Sequence, residues 1–452
     1  MQFELNREYI DELKTLIESE SKEAILEKLE SLHPTDIAEL MDELTMDEAK
    51  YLYLLLDPEK ASDVMVEIPE NERRKFLRIL PPELIAHQFI EYMDSDDAAD
   101  VVRDLEDDMK EAVLQEMKDK EQAGDIADLL EYDEDTAGGL MAKELIKVNE
   151  NWTVQTSLKA ISKQAEDIDE IYYVYVVDDD DFLKGILSLK RLILNPTNSK
   201  IKNLIEEEIH YVKTDATHEE VALAMERFDL VAIPVVDHIG RLKGRITIDD
   251  VVDVIREEAE KDYQMVSGIT GDVESGDRVW SQTRARLPWL LIGLLGGIMG
   301  ARVLGANETA LAQIQGIAFF IPLIAAMAGN VGVQSSSIVV QTIASGARDF
   351  DTFGKKLLKE LAVGMITALV FSSLIFGYNF FFGESLKLTW AVSISLFMVI
   401  VFASLFGTTI PLVLNKLKID PALATGPFIT TMNDILGLML YMMVAKMFFN
   451  II

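Results

Sequence analysis

Residues 388–414 read LTWAVSISLFMVIVFASLFGTTIPLVL, and no Asp, Glu, Lys or Arg interrupts this run. A helix of about 20 such residues is long enough to cross the hydrocarbon core of a bilayer. Comparable apolar runs occupy four other stretches of the same half of the chain. Five long runs in succession exceed what a globular core would contain. The sequence therefore predicts five transmembrane helices, at residues 287–305, 315–344, 361–382, 388–414 and 422–447.

The formal net charge of −35 is unevenly distributed along the 452 residues. Residues 285–452 hold seven acids and ten bases, so this part carries +3 and leaves −38 for residues 1–284. A surface so acidic repels nucleic acid and attracts cations. The absence of cysteine excludes disulfides and thiolate metal sites. The composition thus predicts an acidic water-soluble part joined to a nearly uncharged membrane part, with no nucleic-acid partner.

The loops between the predicted membrane helices carry unequal numbers of bases. One side has eight, whereas the other has only Arg302 and Lys387. Lys and Arg concentrate in cytoplasmic loops, and the N-terminal sequence MQFELNREYI lacks an apolar signal region. We therefore expect a multi-pass protein of the cell membrane, with its N-terminal domains in the cytoplasm and its C-terminus outside. The eight bases are Arg284, Arg286, Arg348, Lys355, Lys356, Lys359, Lys416 and Lys418.

A repeat with an offset of 59 residues lies within the soluble part. Val-Val-Asp at residues 176–178 recurs at 235–237, and a glycine-led strand recurs at Gly185 and Gly244. Each unit has short β-branched strands around a turn and closes with a helix. This pattern resembles paired CBS domains, which are cytoplasmic regulatory modules that often bind adenosine nucleotides.

The resemblance to CBS domains leaves nucleotide binding open. The second repeat has the Gly-x-x-Ser/Thr-x-x-Asp signature of a ribose site, formed by Gly244, Thr247 and Asp250. The first repeat has Arg191 in place of the acid. ATP is therefore a candidate ligand of the CBS pair. The alternative is that the pair binds no nucleotide.

The N-terminal residues predict helices without strands. An acid followed by Ala and apolar residues recurs at Asp36, Asp97 and Asp125 with irregular spacing, which favours a short helical solenoid. The predicted fold is a multidomain membrane protein with an all-α solenoid, an α/β CBS pair and an all-α transmembrane domain of five helices. Its domains are residues 1–132 (acidic helical N domain), 133–200 and 201–258 (CBS repeats), 259–284 (linking, or plug, helix) and 285–452 (transmembrane pore domain).

This order of domains resembles the MgtE family of magnesium channels and transporters over essentially the whole chain. Three motifs in order carry the resemblance. The first is Asp-Thr-Ala-Gly-Gly-Leu-Met at residues 135–141. The second, in the second membrane run, is Gly-Asn-Val-Gly-Val-Gln-Ser-Ser at 329–336. The third is Asp-Pro-Ala-Leu at 420–423, followed by Pro427 and Asp434.

Asp434 is the only carboxylate deep in a predicted membrane helix. It would lie about 20 Å from either end of that helix, near the bilayer centre. A carboxylate there costs free energy and usually marks an ion path. The alternative is a protonated Asp bonded to a neighbouring helix, although no Lys or Arg lies at matching depth to pair with it. Mg²⁺ binds through one or two carboxylates and keeps several waters, so a homodimer with two copies of Asp434 at its axis would form a suitable site.

The second membrane run supplies amides and hydroxyls suited to a hydrated ion, or alternatively to helix–helix contacts. The family resemblance implies that residues matching Asn330 and Asp434, with the surrounding backbone, line the filter. The expected pore residues are therefore Asp434, Asn330, Gly329, Gly426 and Thr430. Val333 and Gly426 stand where some relatives carry amides, so the resemblance leaves selectivity among divalent cations open.

Acidic residues cluster where the soluble part meets the membrane part. Asp250, Asp253, Glu257 and Glu258 share one face of a predicted helix, where like charges repel unless a counter-charge is present. A solvated acidic surface is the alternative. The resemblance implies that the matching acids hold Mg²⁺ between domains, and Lys261 stands where a relative can have an acid. The implied metal ligands are Asp96, Asp100, Glu219, Asp229, Asp250, Asp253, Glu258, Asp262, Asp420 and, in the pore, Asp434.

The expected function is that of a homodimeric Mg²⁺-selective channel or transporter that imports Mg²⁺ and is closed by cytosolic Mg²⁺ bound between its acidic domains. A less selective carrier of Mn²⁺ or Co²⁺ with the same gating is the alternative. A membrane enzyme is disfavoured because the sequence offers no catalytic triad, phosphate loop or zinc motif. A CBS-regulated anion transporter is disfavoured by the lone acid of the pore. Channel and coupled carrier stay open.

Overall fold

The computed structural model describes residues 6–450 except 169, 206–207, 272, 274–278, 345–352, 384 and 425. The described chain forms two compact units, residues 1–255 and residues 256–452. Arg348, one of the bases that predict the orientation, lies outside the described residues. The predicted fold is confirmed, since helices come first, two small sheets follow, and long apolar helices form the C-terminal part.

Short helices build the first part of unit 1. Apolar side chains from successive helices form one core, in which Tyr53 contacts the rings of Phe76 and Phe89 edge to face at 5.0 and 4.9 Å. The helices are α1 Arg7–Glu18, α2 Lys22–Glu30, α3 Pro34–Asp42, α4 Met46–Tyr53, α5 Pro58–Glu67, α6 Glu70–Leu77, α7 Pro82–Gln88, α8 Ser95–Arg103, α9 Asp107–Glu116, α10 Lys120–Leu129 and α11 Ala137–Leu140.

Local sequence sets the ends of these helices. The Thr45 side chain accepts from the amide of Glu48, and Glu48 in turn accepts from the amide of Thr45, so the two form a capping box at the start of α4. At the start of α3 the side chain that accepts the capping bond belongs to His33, and Pro34 occupies the first helical position. Proline at the first helical position removes a donor that would otherwise have no partner.

The 59-residue repeat appears as two sheets with the same pairing. In each sheet the middle strand pairs in parallel with the first strand and antiparallel with the third. Val176 lies opposite Gly185 and Val235 opposite Gly244, and the register shifts after both valines. The elements are β1 Ile146–Asn149, α12 Val154–Gln164, β2 Val174–Val177, β3 Leu183–Leu187, α13 Leu189–Leu194, β4 Val212–Lys213, α14 His218–Phe228, β5 Ala232–Val236, β6 Leu242–Thr247 and α15 Ile248–Val266.

Within the described residues of the C-terminal part, five helices are long and apolar enough to cross a membrane. Their ends extend beyond the apolar runs because a helix continues through flanking charged residues. The third predicted span began at residue 361, whereas its helix begins at Phe353 and includes Lys355, Lys356 and Lys359. The elements are α16 Val279–Ala306, α17 Glu308–Gln313, α18 Ile321–Ala344, α19 Phe353–Phe382, α20 Leu386–Lys416 and α21 Gly426–Phe449.

Helices α18, α20 and α21 meet through small residues. A Cβ atom on Gly407 of α20 would lie 2.3 Å from the carbonyl oxygen of Gly332 of α18. A Cβ atom on Gly332 would lie 1.7 Å from the side-chain nitrogen of Asn433 of α21. Small residues let membrane helices approach this closely, so the three helices form the centre of the unit.

Candidate functional site

Asp434 lies on α21, one turn after Thr430, and both residues face α18. A Cβ atom placed on Gly329 of α18 would be 3.0 Å from the Oδ1 atom of Asp434 and 3.1 Å from the Cγ2 atom of Thr430. The Oδ1 atom is buried, and none of the described residues forms a hydrogen bond with it. The structure thus places a buried carboxylate oxygen against a glycine backbone, without a hydrogen-bond partner among the described residues.

A cavity of ≈ 630 Å³ opens beside these residues. Three of the predicted pore residues line this cavity, namely Asn330, Gly426 and Thr430. The other two, Gly329 and Asp434, do not line it but lie next to Thr430. The Thr430 hydroxyl donates to the carbonyl oxygen of Gly426 at 3.0 Å, so it also closes the first turn of α21. The remaining lining residues are Val266, Ser267, Val333, Gln334, Pro427 and Thr431.

Gln334 and Thr431 are cavity residues that the sequence prediction did not include. Gln334 lies four residues after Asn330, so the two amides share one face of α18. That spacing was the available signal for Gln334. Gly426 has a φ of 51°, and a Cβ atom there would lie 2.3 Å from the carbonyl oxygen of Val266. This backbone geometry explains why no amide side chain stands at position 426.

A second site, the acidic pocket, is a cavity of ≈ 200 Å³ in unit 1. Among the residues that the structure describes, seven carboxylates and one guanidinium, that of Arg245, line it. Ligand oxygens of Asp94, Asp96 and Glu144 lie within 4.8 Å of one another, a spacing that one metal ion can bridge. The lining carboxylates are Asp94, Asp96, Asp97, Glu144, Glu170, Asp249 and Asp250, and the other lining residues are Ala142, Ile168, Tyr172, Arg245 and Thr247.

The acidic pocket joins the helical N domain to the CBS pair. The Ser95 amide and hydroxyl donate to the two carboxylate oxygens of Glu144, at 3.2 and 2.7 Å, and the Lys143 amide donates to the Ser95 hydroxyl at 2.8 Å. Arg245 donates from Nε to the carbonyl oxygen of Glu144 and lies 3.9 Å from a carboxylate oxygen of Asp94. A residue of the CBS pair therefore caps the start of α8.

Burial and the closeness of the carboxylates to one another disfavour their ionised forms in this pocket. Burial, with the neighbouring carboxylates of Asp97 and Asp250, raises the pKa of Asp96 well above its ordinary value. Burial and the Asp250 carboxylate raise the pKa of Asp97 to about 7. Burial also raises the pKa of Asp250, although hydrogen bonds from Thr247 oppose this shift. A divalent cation would favour the ionised form of the whole group.

The structure brings only part of the predicted ligand set into this pocket. Asp96 and Asp250 line it, and the sequence prediction missed Asp94, Asp97, Glu144, Glu170 and Asp249. Asp100 lies one turn along α8 and pairs with Arg103 at 2.6 Å. Burial raises the pKa of Asp100 to about 6, because Arg103 and Arg73 offset the desolvation only in part.

The other predicted ligands lie elsewhere on their units. Glu219 is in the first turn of α14 and Asp229 caps the end of that helix. Asp253, Glu258 and Asp262 are on α15, where Glu258 accepts from Lys261 at 3.1 Å. Asp420 accepts from the Ala422 amide at 2.8 Å ahead of α21. The roles of these six acids stay predictions.

The nucleotide signature of the second repeat is assembled around one carboxylate. Asp250 accepts from the Thr247 hydroxyl at 2.6 Å and from the Thr247 amide at 3.2 Å. Gly244 packs closely, since a Cβ atom there would lie 2.6 Å from the carbonyl oxygen of Ala142. In the first repeat Arg191 donates to the carbonyl oxygen of Leu204 at 3.0 Å instead. Only the second repeat offers the predicted acid.

Family models match most of the chain. A model described as a divalent cation transporter (MgtE) matches residues 321–444, the MgtE intracellular N domain matches residues 32–135, and the CBS domain matches residues 137–196 and 201–257. These matches confirm the predicted family.

Named relatives cover nearly the full length. The chain is 33% identical over 443 residues to the magnesium transporter MgtE of Thermus thermophilus, covering 96% of this chain and 97% of the relative. It is 32% identical to the magnesium transporter MgtE of Bacillus subtilis, covering 93% of each. A crystal structure of the cytosolic domain of the Mg²⁺ channel MgtE in complex with ATP matches 54% of this chain and 99% of that chain, with 35% identity and a TM-score of 0.51.

Proposed function

The chain belongs to the MgtE family of divalent cation transporters, and from this membership we propose that it carries Mg²⁺ across the membrane along a path past Asp434. Five helices of membrane-spanning length follow the N-terminal domain, which places the protein among multi-pass membrane proteins with a cytosolic N-terminal part. The relatives named as magnesium transporters support the choice of ion.

The buried Oδ1 atom of Asp434 is the observation that carries this proposal. It lies in a membrane helix against Gly329, and no described residue donates to it. Buried polar atoms are nearly always hydrogen-bonded, and a carboxylate inside a membrane is costly without a partner. A passing hydrated cation is a partner that would satisfy it.

The adjoining cavity has the polarity that Mg²⁺ requires. Mg²⁺ gives up its water slowly and binds through one or two carboxylates with several waters retained. Asn330 and Gln334 present amides to the cavity, and Thr431 adds a hydroxyl. These groups could hold the retained waters while Asp434 supplies the charge.

We propose that the acidic pocket senses cytosolic Mg²⁺ and that the occupied pocket favours the closed pore. An ion that binds the compact arrangement of unit 1 more tightly than a looser one shifts the equilibrium between them. The Asp94, Asp96 and Glu144 cluster supports this role. Since Lys261 occupies the side of α15 next to Glu258, a metal site at Glu258 would be weaker here.

We propose a homodimer in which two copies of Asp434 face one axis, and a C-terminus on the outer face. Mg²⁺ binds through one or two carboxylates, and a two-fold axis would supply a second copy of Asp434 to the same site. The bases of the loops support the orientation. Neither chemical catalysis nor a coupled ion is needed for such a path, and the choice between channel and carrier is left to flux measurements.

The test is Mg²⁺ flux into liposomes that contain the purified full-length protein. Asp434→Ala should abolish flux while leaving folding intact, because removing a buried charge without a described partner relieves a cost. Glu308→Gln, in the short helix α17, is the matched control because it removes a carboxylate that does not line the cavity. Normal flux from Asp434→Ala would overturn the proposed path.

The alternative is a less selective divalent path with the same gating. Competition of Mn²⁺, Co²⁺ and Ca²⁺ with Mg²⁺ in the same liposomes separates the two. Selective transport requires that only Mg²⁺ saturate the path at low concentration, whereas equal competition by Mn²⁺ and Co²⁺ would favour the alternative.

We propose ATP as a ligand of the second CBS repeat. A relative's cytosolic domain was crystallised with ATP, and Gly244, Thr247 and Asp250 form the matching signature here. Calorimetric titration of the full-length protein with ATP tests this, with Thr247→Ala as the site variant. Equal affinity in the variant and the parent would remove the assignment.

A further inference from the structure

Glu360 is a carboxylate inside the membrane unit that the proposed path does not use. It lies on α19, seven residues after the start of that helix at Phe353. Its Oε1 atom accepts a hydrogen bond from the Ser335 hydroxyl of α18 at 2.7 Å and a second from the Ser404 hydroxyl of α20. The two hydroxyl oxygens are 3.5 Å apart. One oxygen atom therefore joins three helices.

The two serine side chains that donate these bonds are buried. Ser335 is 6% exposed and Ser404 is 1% exposed. Gly364, one turn after Glu360, faces Ser404, since a Cβ atom there would be 3.0 Å from the Ser404 hydroxyl oxygen. Hydrogen bonds between membrane helices are retained because lipid offers no alternative partners. Loss of the acceptor would leave two buried hydroxyls to find others.

The bond to Ser335 fixes the rotation of α18 about its own axis. Ser335 follows Gln334 directly, and successive residues of a helix point about 100° apart. Gln334 and Asn330 line the cavity on one side of α18, while Ser335 is held from another side by Glu360. A small rotation of α18 would move both amides relative to Asp434 on α21.

We propose that Glu360 is a positioning residue of the ion path, acting through Ser335 on the two amides of α18. This inference rests on the proposed function and adds a residue that sets the ion preference of the same path. The role of Glu360 is to accept hydrogen bonds, and its negative charge is not required. The charge of the path comes from Asp434 alone.

The choice of variants follows from the shared Oε1 atom. Gln has a carbonyl oxygen in the same place, so Glu360→Gln can accept from both serines, whereas Glu360→Ala cannot. Ser335→Ala removes the bond of α18 to Glu360 and the 3.5 Å contact with the Ser404 hydroxyl, but it leaves the bond between Ser404 and Glu360 in place. It remains informative if Glu360→Ala does not fold. Ser372→Ala is the matched control, because the Ser372 hydroxyl of α19 donates to the Ser393 carbonyl of α20 at 2.9 Å without contacting α18 through that bond.

The experiment measures the half-saturating Mg²⁺ concentration and the Mg²⁺ to Mn²⁺ flux ratio of the full-length protein in liposomes. We expect Glu360→Ala and Ser335→Ala to raise the half-saturating concentration about tenfold and to change the ratio, as the loss of one buried hydrogen bond would. Glu360→Gln and Ser372→Ala should stay within about twofold of the parent.

Two results would overturn the inference. If Glu360→Gln fails like Glu360→Ala, the charge is needed and the residue is not merely a positioning acceptor. If Glu360→Ala and Ser335→Ala lower only the maximal flux and leave the ratio unchanged, the bonds serve general stability. A parent protein that carries no Mg²⁺ would instead defeat the proposed function, so the two failures can be told apart.

Discussion

The acidic pocket of unit 1 and the proposed pore residues of unit 2 differ in how many carboxylates they bring together. In the described part of the chain, seven carboxylates line the acidic pocket together with one guanidinium. In unit 2 the carboxylate of Asp434 lies against Gly329, and the described residues that line the adjoining cavity are all uncharged. A crowded pocket gains much from a bound cation and so can report its concentration. In the proposed path, two copies of Asp434 with neutral neighbours would bind the ion weakly enough to release it, as conduction requires.

The largest effect should come from the pocket itself. Asp96→Asn removes a ligand of the three-carboxylate cluster, and we expect the Mg²⁺ concentration that protects residues 1–255 from protease to rise about tenfold or more. Asp96→Asn also removes repulsion between carboxylates of the pocket, which by itself would make unit 1 more resistant to protease. We expect this effect to be weaker, because a bridging ion acts at short range whereas the repulsion is screened over about 10 Å. The measurement is the rate of limited proteolysis of the full-length protein as Mg²⁺ is raised.

Asp107→Asn is the control for this comparison. Asp107 begins α9, and its side chain is 99% exposed. Asp107→Asn therefore removes the same charge as Asp96→Asn without changing the lining of the acidic pocket. If Asp96→Asn makes unit 1 more resistant to protease at low Mg²⁺, the acids act as simple repellers and the sensing proposal is wrong.

A second prediction concerns pH in the absence of divalent cations. The pKa of Asp97 is raised from 3.8 to about 7, so the folded unit holds a proton that the unfolded chain releases. The free energy of unfolding around α8 should therefore fall as pH rises from about 4 to about 7, by up to about 1.4 kcal/mol per pH unit for this carboxylate. Saturating Mg²⁺ should flatten this dependence, because the ion replaces the proton.

The measurement is amide hydrogen exchange of α8 at several pH values, corrected for the intrinsic exchange rate. The same measurement on Asp97→Asn should show a smaller slope, and the remaining slope belongs to Asp96, Asp100 and Asp250, whose pKa values are also raised. A stability that rises with pH over this range would contradict the crowding that the structure describes.

The smallest expected effect concerns α15. Lys261 donates to Glu258 at 3.1 Å and so supplies a fixed cation beside a predicted metal ligand. Lys261→Glu replaces it with a carboxylate, and we expect the protecting Mg²⁺ concentration to fall about two- to threefold, since the site is exposed and screened. Lys261→Gln, which removes the cation and adds no ligand, is the matched control.

The sequence predicted the parts of this molecule that depend on local periodicity. The apolar run at residues 388–414 became α20, and the 59-residue offset reproduced the strand register from Val176–Gly185 to Val235–Gly244. An uninterrupted apolar run and an internal repeat can both be recognised in the sequence without knowledge of the tertiary structure. Helix ends were less predictable, because hydrogen bonding continues past the first charged residue, as in α19.

The acidic pocket was predictable only in part. Ser95 and Glu144 are 49 residues apart, and no local period links them. Asp97 was visible as part of a helical repeat, but its burial beside Asp250 depends on how the N domain meets the CBS pair. Asn330 and Asp434 could be named from a family motif, whereas the bonds of Glu360 to Ser335 and Ser404 required coordinates.

The most direct test of the division between pocket and pore measures two properties on the same preparations of full-length protein in liposomes: Mg²⁺ flux and Mg²⁺-dependent protection of residues 1–255 from protease. We predict that Asp434→Ala loses flux and keeps protection, while Asp96→Asn keeps flux and loses protection at low Mg²⁺. Parallel loss of both properties in either variant would contradict the assignment of sensing to one unit and conduction to the other.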